Sequence, residues 1–280
     1  MADALAMIDS SYRRDGYYFP VDAMSSEQAH TYRNQFEAVE REYRDKDPDF
    51  DALVFDHANM VMPFIDEITR LQTVLDPVRA ILGPDIMVWR TTLFIKDPRS
   101  VDYVSWHQDL TYWDLDDVEE VTAWVALSPS TVESGCMRYV PGTHGQEIVP
   151  HHDTFAENNQ LSRGQEVVVE VNEGGAINVV LAPGQMALHH GRIFHSSLAN
   201  RSADRRIGLA IRYISPRMRQ VSGVKTYCML VSGKDRYGNF HLVEAPHGVL
   251  HPTDRELAHR AVAAGKTFFF AGVGLEFGVF

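Results

Sequence analysis

Cysteine is scarce in this sequence. Its 280 residues include two cysteines, Cys136 and Cys228, and neither belongs to a Cys-x-x-Cys pair. The disulfide frameworks of small secreted domains need several cysteines at close spacing. The shortage argues against such a framework, and we expect two reduced thiols in the protein core.

Long apolar segments and a surplus of basic residues are also missing. A helix needs roughly 20 consecutive apolar residues to cross a bilayer, and no run approaches that length. Residues 1–18 lack the cationic and then apolar pattern of a signal peptide. Lysine and arginine number 26 against 38 acidic residues, a formal net charge of -12, which disfavours nucleic acid and anionic membranes as partners. We therefore expect a cytoplasmic protein, monomeric or homodimeric, that acts on a small molecule.

The residues that are present suit one soluble domain. Hydrophobic residues make up 45% and charged residues 23% of the chain, which are ordinary values for a globular protein. The first part, about residues 1–84, has helical character. Ser25 and Gln28 form a capping-box pattern, and a second helical pattern covers residues 63–82, with a break or kink expected at Asp76-Pro77. About residues 236–280 are expected to form a C-terminal extension, whose aromatic tail at 272–280 could serve an interface.

Between these two parts, at about residues 85–235, short apolar runs alternate with turn signals such as Asp97-Pro98 and Pro183-Gly184. Residues 114–120 and 158–164 are expected to be loops. Many short strands of this kind are typical of a jelly roll. We predict a single domain over residues 1–280, a mainly β, cupin-like double-stranded β-helix with peripheral α-helices. The runs with strand character are residues 86–95, 101–107, 121–127, 137–140, 166–171, 176–180, 185–190, 206–214 and 225–230.

A histidine and an aspartate stand two residues apart at the end of one predicted strand. In Ser105-Trp106-His107-Gln108-Asp109, His107 and Asp109 would point to the same face of a strand. A second histidine would complete the set of two histidines and one carboxylate that leaves open positions on iron(II) for O₂ chemistry. No His-Glu-x-x-His motif is present, which disfavours a zinc hydrolase with a helical site.

His-x-Asp alone is a weak signal, and the sequence offers alternatives. His151 and Asp153 repeat the spacing, but they follow a turn-rich stretch and are expected in a solvated loop. The downstream histidine could be His189, His190 or His195. The residues alone leave that choice open.

Several short motifs together resemble the phytanoyl-CoA dioxygenase family, which includes ectoine hydroxylases and bacterial tailoring oxygenases. The similarity covers about residues 10–216, and the order and spacing of the motifs are more specific than any one of them. The family fold is a double-stranded β-helix, in agreement with the strand pattern. The matching segments are Asp15-Gly16-Tyr17-Tyr18, Leu93-Phe94-Ile95-Lys96, Trp106-His107-Gln108-Asp109, Thr122-Ala123-Trp124-Val125-Ala126-Leu127, Glu133-Ser134-Gly135, Val140-Pro141-Gly142-Thr143-His144, and His195-Ser196-Ser197 with Asn200 and Arg206.

The resemblance implies roles for the residues at matching positions. His107, Asp109 and His195 match the ligands of iron(II). Arg206 matches the arginine that pairs with the distal carboxylate of the cosubstrate 2-oxoglutarate, a task suited to a planar cationic fork. Its neighbour Arg205 would point to the opposite face of the strand. The remaining candidates for the cosubstrate pocket are Ser197, Gln108, Trp124 and Lys96.

The reaction that the resemblance implies is hydroxylation of an unactivated C–H bond with iron(II), O₂ and 2-oxoglutarate. Related halogenases carry glycine or alanine in place of Asp109, so its presence favours hydroxylation. The expected substrate is a small polar or zwitterionic metabolite, such as an amino acid, betaine, aminoalkyl phosphonate or natural-product intermediate. One alternative is desaturation or epimerisation, on a natural-product or carrier-bound acyl substrate. Another is a cupin-like metal-binding protein without oxygenase activity, which would need no arginine beyond His195.

Candidates for substrate contacts are polar and aromatic residues near the predicted metal ligands. The acidic run at 114–120 could attract a cationic group, although such runs are commonly solvated. Arg90 and Arg138 could face an anionic group, and a zwitterion would satisfy both. The full set is Arg90, Tyr103, Tyr112, Trp113, Arg138, Arg192 and Tyr213.

Overall fold

The helices lie mainly before the first long strand. In the computed structural model, which describes residues 2–269, the α-helices are α1 (Ala2–Asp15), α2 (Ser26–Tyr43), α3 (Phe50–Val61), α4 (Pro63–Arg70), α5 (Gln72–Leu82) and α6 (Pro252–Phe269). The predicted capping box begins α2: the Ser25 hydroxyl accepts a hydrogen bond from the Gln28 backbone, and the Gln28 side chain accepts one from the Ser25 backbone. No helix among these residues is both long and apolar enough to span a membrane.

The second predicted helix is in fact two helices. The break falls at Leu71, whose ψ of 130° ends α4. The helix is not broken at Asp76-Pro77, where a break or kink was expected. Pro77 lies inside α5. A proline removes one backbone hydrogen bond from a helix, and the packing of α5 against α1 and β4 holds the helix together despite that loss.

The strands form three sheets. A seven-stranded sheet has the order β1-β9-β4-β11-β2-β12-β13, a four-stranded sheet the order β3-β10-β5-β8, and β6 pairs with β7. Pairing in the seven-stranded sheet is antiparallel except between β12 and β13. The strands are β1 (Tyr17–Asp22), β2 (Ile86–Lys96), β3 (Val104–His107), β4 (Glu120–Ala126), β5 (Met137–Val140), β6 (His151–Asp153), β7 (Gln165–Val167), β8 (Ile177–Val179), β9 (Gln185–His189), β10 (Phe194–Ser197), β11 (Arg206–Ile214), β12 (Tyr227–Ser232) and β13 (His241–Leu242).

The seven-stranded sheet separates two layers, because successive side chains of a strand point to opposite faces. On β11, Ile207, Leu209 and Ile211 join the core under the helices, whereas Arg206 and Arg212 line a cavity on the other face. The four-stranded sheet covers that inner face. The predicted jelly roll with peripheral helices is confirmed.

Each predicted strand coincides with an observed one, with ends that differ by a few residues. Four strands were not predicted: β1, β6, β10 and β13. β1 lies in the part expected to be helical and pairs with β9, and β6 lies where a solvated loop was expected and pairs with β7. Glu120, assigned to an acidic loop, instead begins β4 and is buried. The single domain over residues 1–280 stays a prediction, and the aromatic tail lies outside the described residues.

Candidate metal centre and its two cavities

Two histidines and one aspartate meet where the small sheet faces the large one. His107 on β3 lies opposite His195 on β10, and Asp109 follows β3 at the start of a 3-10 turn, Asp109–Tyr112. Oδ1 of Asp109 lies 3.3 Å from Nε2 of His107 and 3.9 Å from Nε2 of His195. All three residues are buried, and their ligand atoms lie within 4.8 Å of one another, so they could hold one metal ion.

Each imidazole of this centre is oriented by its own strand. Nδ1 of His107 lies 2.9 Å from the Ser105 carbonyl, and Nδ1 of His195 lies 3.0 Å from the Ile193 carbonyl. A carbonyl only accepts hydrogen bonds, so Nδ1 carries the proton and Nε2 presents a lone pair to the centre. Burial lowers the pKa of His195 well below its ordinary value. A neutral imidazole is the form that binds a metal ion.

The carboxylate of the centre stays ionised despite its burial. Burial raises the pKa of Asp109, but the close approach of His107, His195 and Arg212 outweighs it and holds the pKa below its usual range. An ionised carboxylate is the form that binds a metal ion.

The alternative histidines take other places. Nε2 of His189 lies 4.0 Å from Oδ2 of Asp109 and has no hydrogen-bond partner among the described residues, so His189 borders the centre without completing the three-residue group. His190 faces Glu120. His151 is half-buried, and its Nε2 accepts a hydrogen bond from the Gln108 backbone at 3.0 Å.

A first cavity extends from the metal centre to Arg206 and is also lined by Trp124 and Ser197. Arg206 is 1% exposed, and its Nε and Nη2 have no hydrogen-bond partner among residues 2–269. Its guanidinium lies 5.3 Å from the centroid of the Trp124 ring. Burial lowers the pKa of Arg206 to about 10, so the group is cationic at neutral pH. An unsatisfied, buried guanidinium is suited to a carboxylate.

Lys96 supports this cavity from behind. It is paired with Arg206 in the β2–β11 register, and its Nζ donates to Oγ of Ser197 at 2.7 Å and to the Leu198 carbonyl at 2.5 Å. Burial, and next the charge of Arg206, lower the pKa of Lys96 to about 6. At neutral pH, Lys96 therefore holds Ser197 in place rather than adding the charge that the sequence suggested.

Gln108 lies beside the centre and does not line the first cavity. Its Nε2 donates to the Arg192 carbonyl at 2.9 Å, and its Oε1 accepts from the Val149 backbone at 2.9 Å. Both ends of its amide are thus occupied by backbone groups. Gln108 ties two loops to the metal centre.

A second cavity opens from the same centre on the side of Arg90, Tyr112 and Trp113. Phe55 and Phe94 add an aromatic pair with ring centroids 5.8 Å apart. Thus three of the seven candidate substrate residues line one cavity beside the metal centre.

The other four candidates do not line either cavity. Backbone groups of Tyr103 bond to the loop at residues 158–160. Arg138 forms an ion pair with Glu173 at 2.9 Å, and Arg192 one with Glu147 at 3.4 Å. The fourth, Tyr213, is fully buried in the core under the helices and donates its hydroxyl to the Thr69 carbonyl at 2.8 Å.

The sequence interpretation missed Arg212 and the ion-pair partners of the acidic run. Arg212 lines both cavities, and its spacing of six from Arg206 on one strand could have revealed it, because even spacings share a face. The acidic run has partners: Glu119 pairs with Arg217 at 2.5 Å, and Asp116 with Arg219 at 2.9 Å. Two of its acidic residues thus pair with arginines of the same protein, although surface ion pairs of this kind contribute little stability.

A second histidine–aspartate group lies at the start of α6. His247, His251 and Asp254 have ligand atoms within 4.8 Å of one another, but both histidines are exposed. The Asp254 carboxylate already accepts hydrogen bonds from the backbone and ring of His247, each at 2.7 Å. The buried group between the sheets is the stronger candidate, because two cavities open onto it.

Comparison with known sequences agrees with this geometry. The family model for phytanoyl-CoA dioxygenase (PhyH) matches residues 12–208. A probable alpha-ketoglutarate-dependent hypophosphite dioxygenase of Stutzerimonas stutzeri is 27% identical over 195 residues, 67% of each protein. The peroxisomal phytanoyl-CoA dioxygenase of Homo sapiens is 28% identical over 152 residues, 52% of this chain and 44% of the human protein. The chain thus spans about two thirds of the first relative and under half of the second.

Solved structures add a match over nearly the whole chain. The non-heme monooxygenase ThoJ, in its apo form, superposes with a TM-score of 0.84 at 30% identity, covering 94% of this chain and 97% of ThoJ. CytC3 with Fe(II) and alpha-ketoglutarate has a TM-score of 0.66 at 19% identity, covering 87% and 94%. The second similarity shows the fold alone.

Proposed function

The chain belongs to the phytanoyl-CoA dioxygenase family of iron(II)- and 2-oxoglutarate-dependent oxygenases, and from this premise we propose that it hydroxylates an unactivated C–H bond of a small, polar or zwitterionic metabolite. The observation that carries the proposal is one continuous site. A buried His–Asp–His group shares a cavity with Arg206, a buried cation with unmet hydrogen bonds.

The donor set fits iron(II). Two neutral imidazoles and one carboxylate form the facial set of non-haem iron oxygenases, which leaves positions on the metal for other ligands. His107, Asp109 and His195 would hold the ion. Iron(II), together with O₂ and 2-oxoglutarate, supplies an oxidant for unactivated C–H bonds and releases succinate and CO₂.

The first cavity fits 2-oxoglutarate. Arg206 would donate two parallel hydrogen bonds to the distal carboxylate, which would neutralise its buried charge. Ser197, held by Lys96, lies on the same cavity wall. Trp124 covers one face of the guanidinium and excludes water from it. The keto acid would then extend from Arg206 toward the metal centre.

The second cavity fits the substrate. It reaches the same His107 and Asp109 but not Arg206, so substrate and cosubstrate would approach the metal from different sides. The protein would position the target carbon there, and positioning is its main contribution when a cofactor does the chemistry. Asp109 occupies the position that halogenases leave vacant for chloride, which favours hydroxylation. Desaturation or epimerisation in the same site would be distinguished by product analysis.

The setting of the enzyme also belongs to this proposal. The net charge of -12 disfavours nucleic acid as a partner. We place the protein in the cytoplasm as a monomer or homodimer that acts on a free metabolite.

Arg206 and its neighbour provide the test. Arg206→Gln should raise the 2-oxoglutarate concentration needed for half-maximal succinate release by roughly 30-fold, because losing one partner of a buried charge pair costs about 2 kcal/mol or more. Arg205→Gln is the matched control: Arg205 binds Glu40 on α2 at 2.7 and 2.9 Å, away from the cavity.

The two variants should separate affinity from stability. Arg205→Gln should lower the melting temperature and leave the 2-oxoglutarate requirement unchanged. An unchanged requirement in Arg206→Gln would overturn the cosubstrate assignment and favour a cupin-like metal-binding protein.

A further inference from the structure

Two buried arginines stand at opposite ends of the inner face of β11. Arg206 and Arg212 are six residues apart, which corresponds to roughly 20 Å along a strand. Ala210, on the same face between them, is small and lines the first cavity. Arg206 lines only the first cavity, whereas Arg212 lines the second cavity as well.

Arg212 is a buried cation with an unmet hydrogen bond. It is 7% exposed, and its Nη1 donates to Oγ1 of Thr92 at 2.7 Å. Its Nε has no hydrogen-bond partner among residues 2–269. The carboxylates of Asp109 and Asp56 act on its charge, but no described carboxylate forms a direct ion pair with it. Burying a charge without a direct counter-ion is costly. An anion entering the second cavity would remove that cost.

The other basic residue of the second cavity is already occupied. Arg90 forms an ion pair with Asp56 at 2.5 Å, and both side chains are largely buried. Arg138, which the sequence suggested as a second contact for an anionic group, lies outside this cavity. Among the described cationic residues lining this cavity, Arg212 is thus the one without an ion pair.

We propose that Arg212 binds an anionic group of the substrate, so that the substrate is an organic acid with a carboxylate, phosphonate or phosphate at one end. This inference rests on the proposed oxygenase function and specifies its substrate class. The guanidinium lies 5.5 Å from the centroid of the Trp113 ring, and its planar fork suits a carboxylate or phosphoryl group. The aromatic wall of Phe55, Phe94 and Tyr112 suits an apolar body on the same molecule.

The second arginine does not duplicate the first. The Cα atoms of the two arginines lie roughly 20 Å apart along β11, and of the two only Arg212 also lines the second cavity. We therefore assign Arg206 to 2-oxoglutarate and Arg212 to the acid that enters the second cavity. The two guanidiniums would separate the two acids, with the metal centre between them.

Isosteric probes test this inference by binding. Phenylacetate and phenylacetamide have nearly the same shape and differ in charge, and phenylphosphonate carries a phosphoryl anion on the same ring. Each would be titrated calorimetrically, without O₂, into the protein loaded with iron(II) and 2-oxoglutarate. At least one anion should bind about tenfold more tightly than the amide, because hydrogen bonds to charged groups are worth about 1.5 kcal/mol or more. Which anion binds more tightly distinguishes carboxylate from phosphoryl substrates.

Variants of Arg212 test whether this residue causes the preference for the anion over the amide. Arg212→Gln should reduce the preference to less than about threefold. Arg212→Lys should keep part of the preference, since lysine retains the charge but not the planar fork. Arg138→Gln, outside the cavity, should keep it in full. If Arg212→Gln does not fold, the lysine variant carries the comparison.

The inference is overturned if charge makes no difference in the wild type, if neither anion binds, or if the Arg212 variants keep the full preference. Displacement of 2-oxoglutarate by the anion would also overturn it, because the anion would then occupy the Arg206 side. Failure of the iron-loaded wild type to bind 2-oxoglutarate would instead refute the proposed function, on which the inference depends.

Discussion

At the scale of single residues, the wall of the first cavity depends on a glycine, Gly208. A Cβ atom added at Gly208 would lie 1.8 Å from Cζ2 of Trp124, far inside van der Waals contact. The indole thus occupies the space above Gly208, and this places it against the Arg206 guanidinium. Glycine is needed here for close approach.

Gly208→Ala should therefore displace Trp124 and weaken 2-oxoglutarate binding. Overpacking a well-filled site costs about 1–3 kcal/mol, so we expect a lower melting temperature and a several-fold higher 2-oxoglutarate requirement. Gly145→Ala is the control, because a Cβ there meets nothing within 4 Å. Equal behaviour of the two variants would show that the indole can shift at no cost.

At the scale of secondary-structure elements, a buried carboxyl connects β4 to the turn between β9 and β10. Oε1 of Glu120 accepts a hydrogen bond from the Gly191 backbone at 2.7 Å. Nδ1 of His190 lies 3.4 Å away, but this nitrogen accepts a hydrogen bond from the Arg192 backbone and so carries no proton. His190 is therefore neutral, and burial raises the pKa of Glu120 to about 8 from an ordinary 4.5.

This pKa predicts a loss of stability at high pH. Because folding raises the pKa of Glu120, the folded state favours the protonated form, and the stabilisation is complete below about pH 4.5 and lost as the pH rises toward about 8. Glu120→Gln keeps the acceptor but cannot ionise. Urea unfolding should show a larger loss of stability between about pH 5 and pH 8.5 in the wild type than in this variant.

The neighbouring carboxylate is the control for that experiment. Glu119 is partly exposed and ion-paired with Arg217, so Glu119→Gln should follow the wild-type pH profile. A Glu120→Gln profile identical to the wild type would mean that Glu120 is ionised in the folded protein.

At the scale of the whole molecule, the sequence predicted what local patterns determine. Short apolar runs predicted β4 and β11, and the spacing of His107 and Asp109 put both on one centre. β1 contains Pro20 and is partly exposed, so its local signal is weak and its pairing with the distant β9 defines it. β6 is a strand only because β7 lies beside it.

Two of the substrate candidates lie on strands near the metal centre but point away from it. Arg138 is on β5, which pairs with the His195 strand. Met137 and Tyr139 on either side of it pack between the two sheets with Trp124, so alternation turns Arg138 outward. Tyr213 likewise differs by an odd number from Arg206 and points to the helices. The alternation that reveals Arg212 also separates these residues from the cavities.

The central claim, that His107, Asp109 and His195 hold iron(II) beside a 2-oxoglutarate pocket, has one direct test. Iron(II) and then 2-oxoglutarate are added without O₂ to the wild type, to His107→Ala and to His152→Ala, an exposed histidine on β6. Chelation of iron(II) by the keto acid should produce a weak visible charge-transfer band in the wild type and in His152→Ala, and none in His107→Ala. A wild-type protein that binds iron without developing the band, or a His107→Ala variant that develops it in full, would contradict the account.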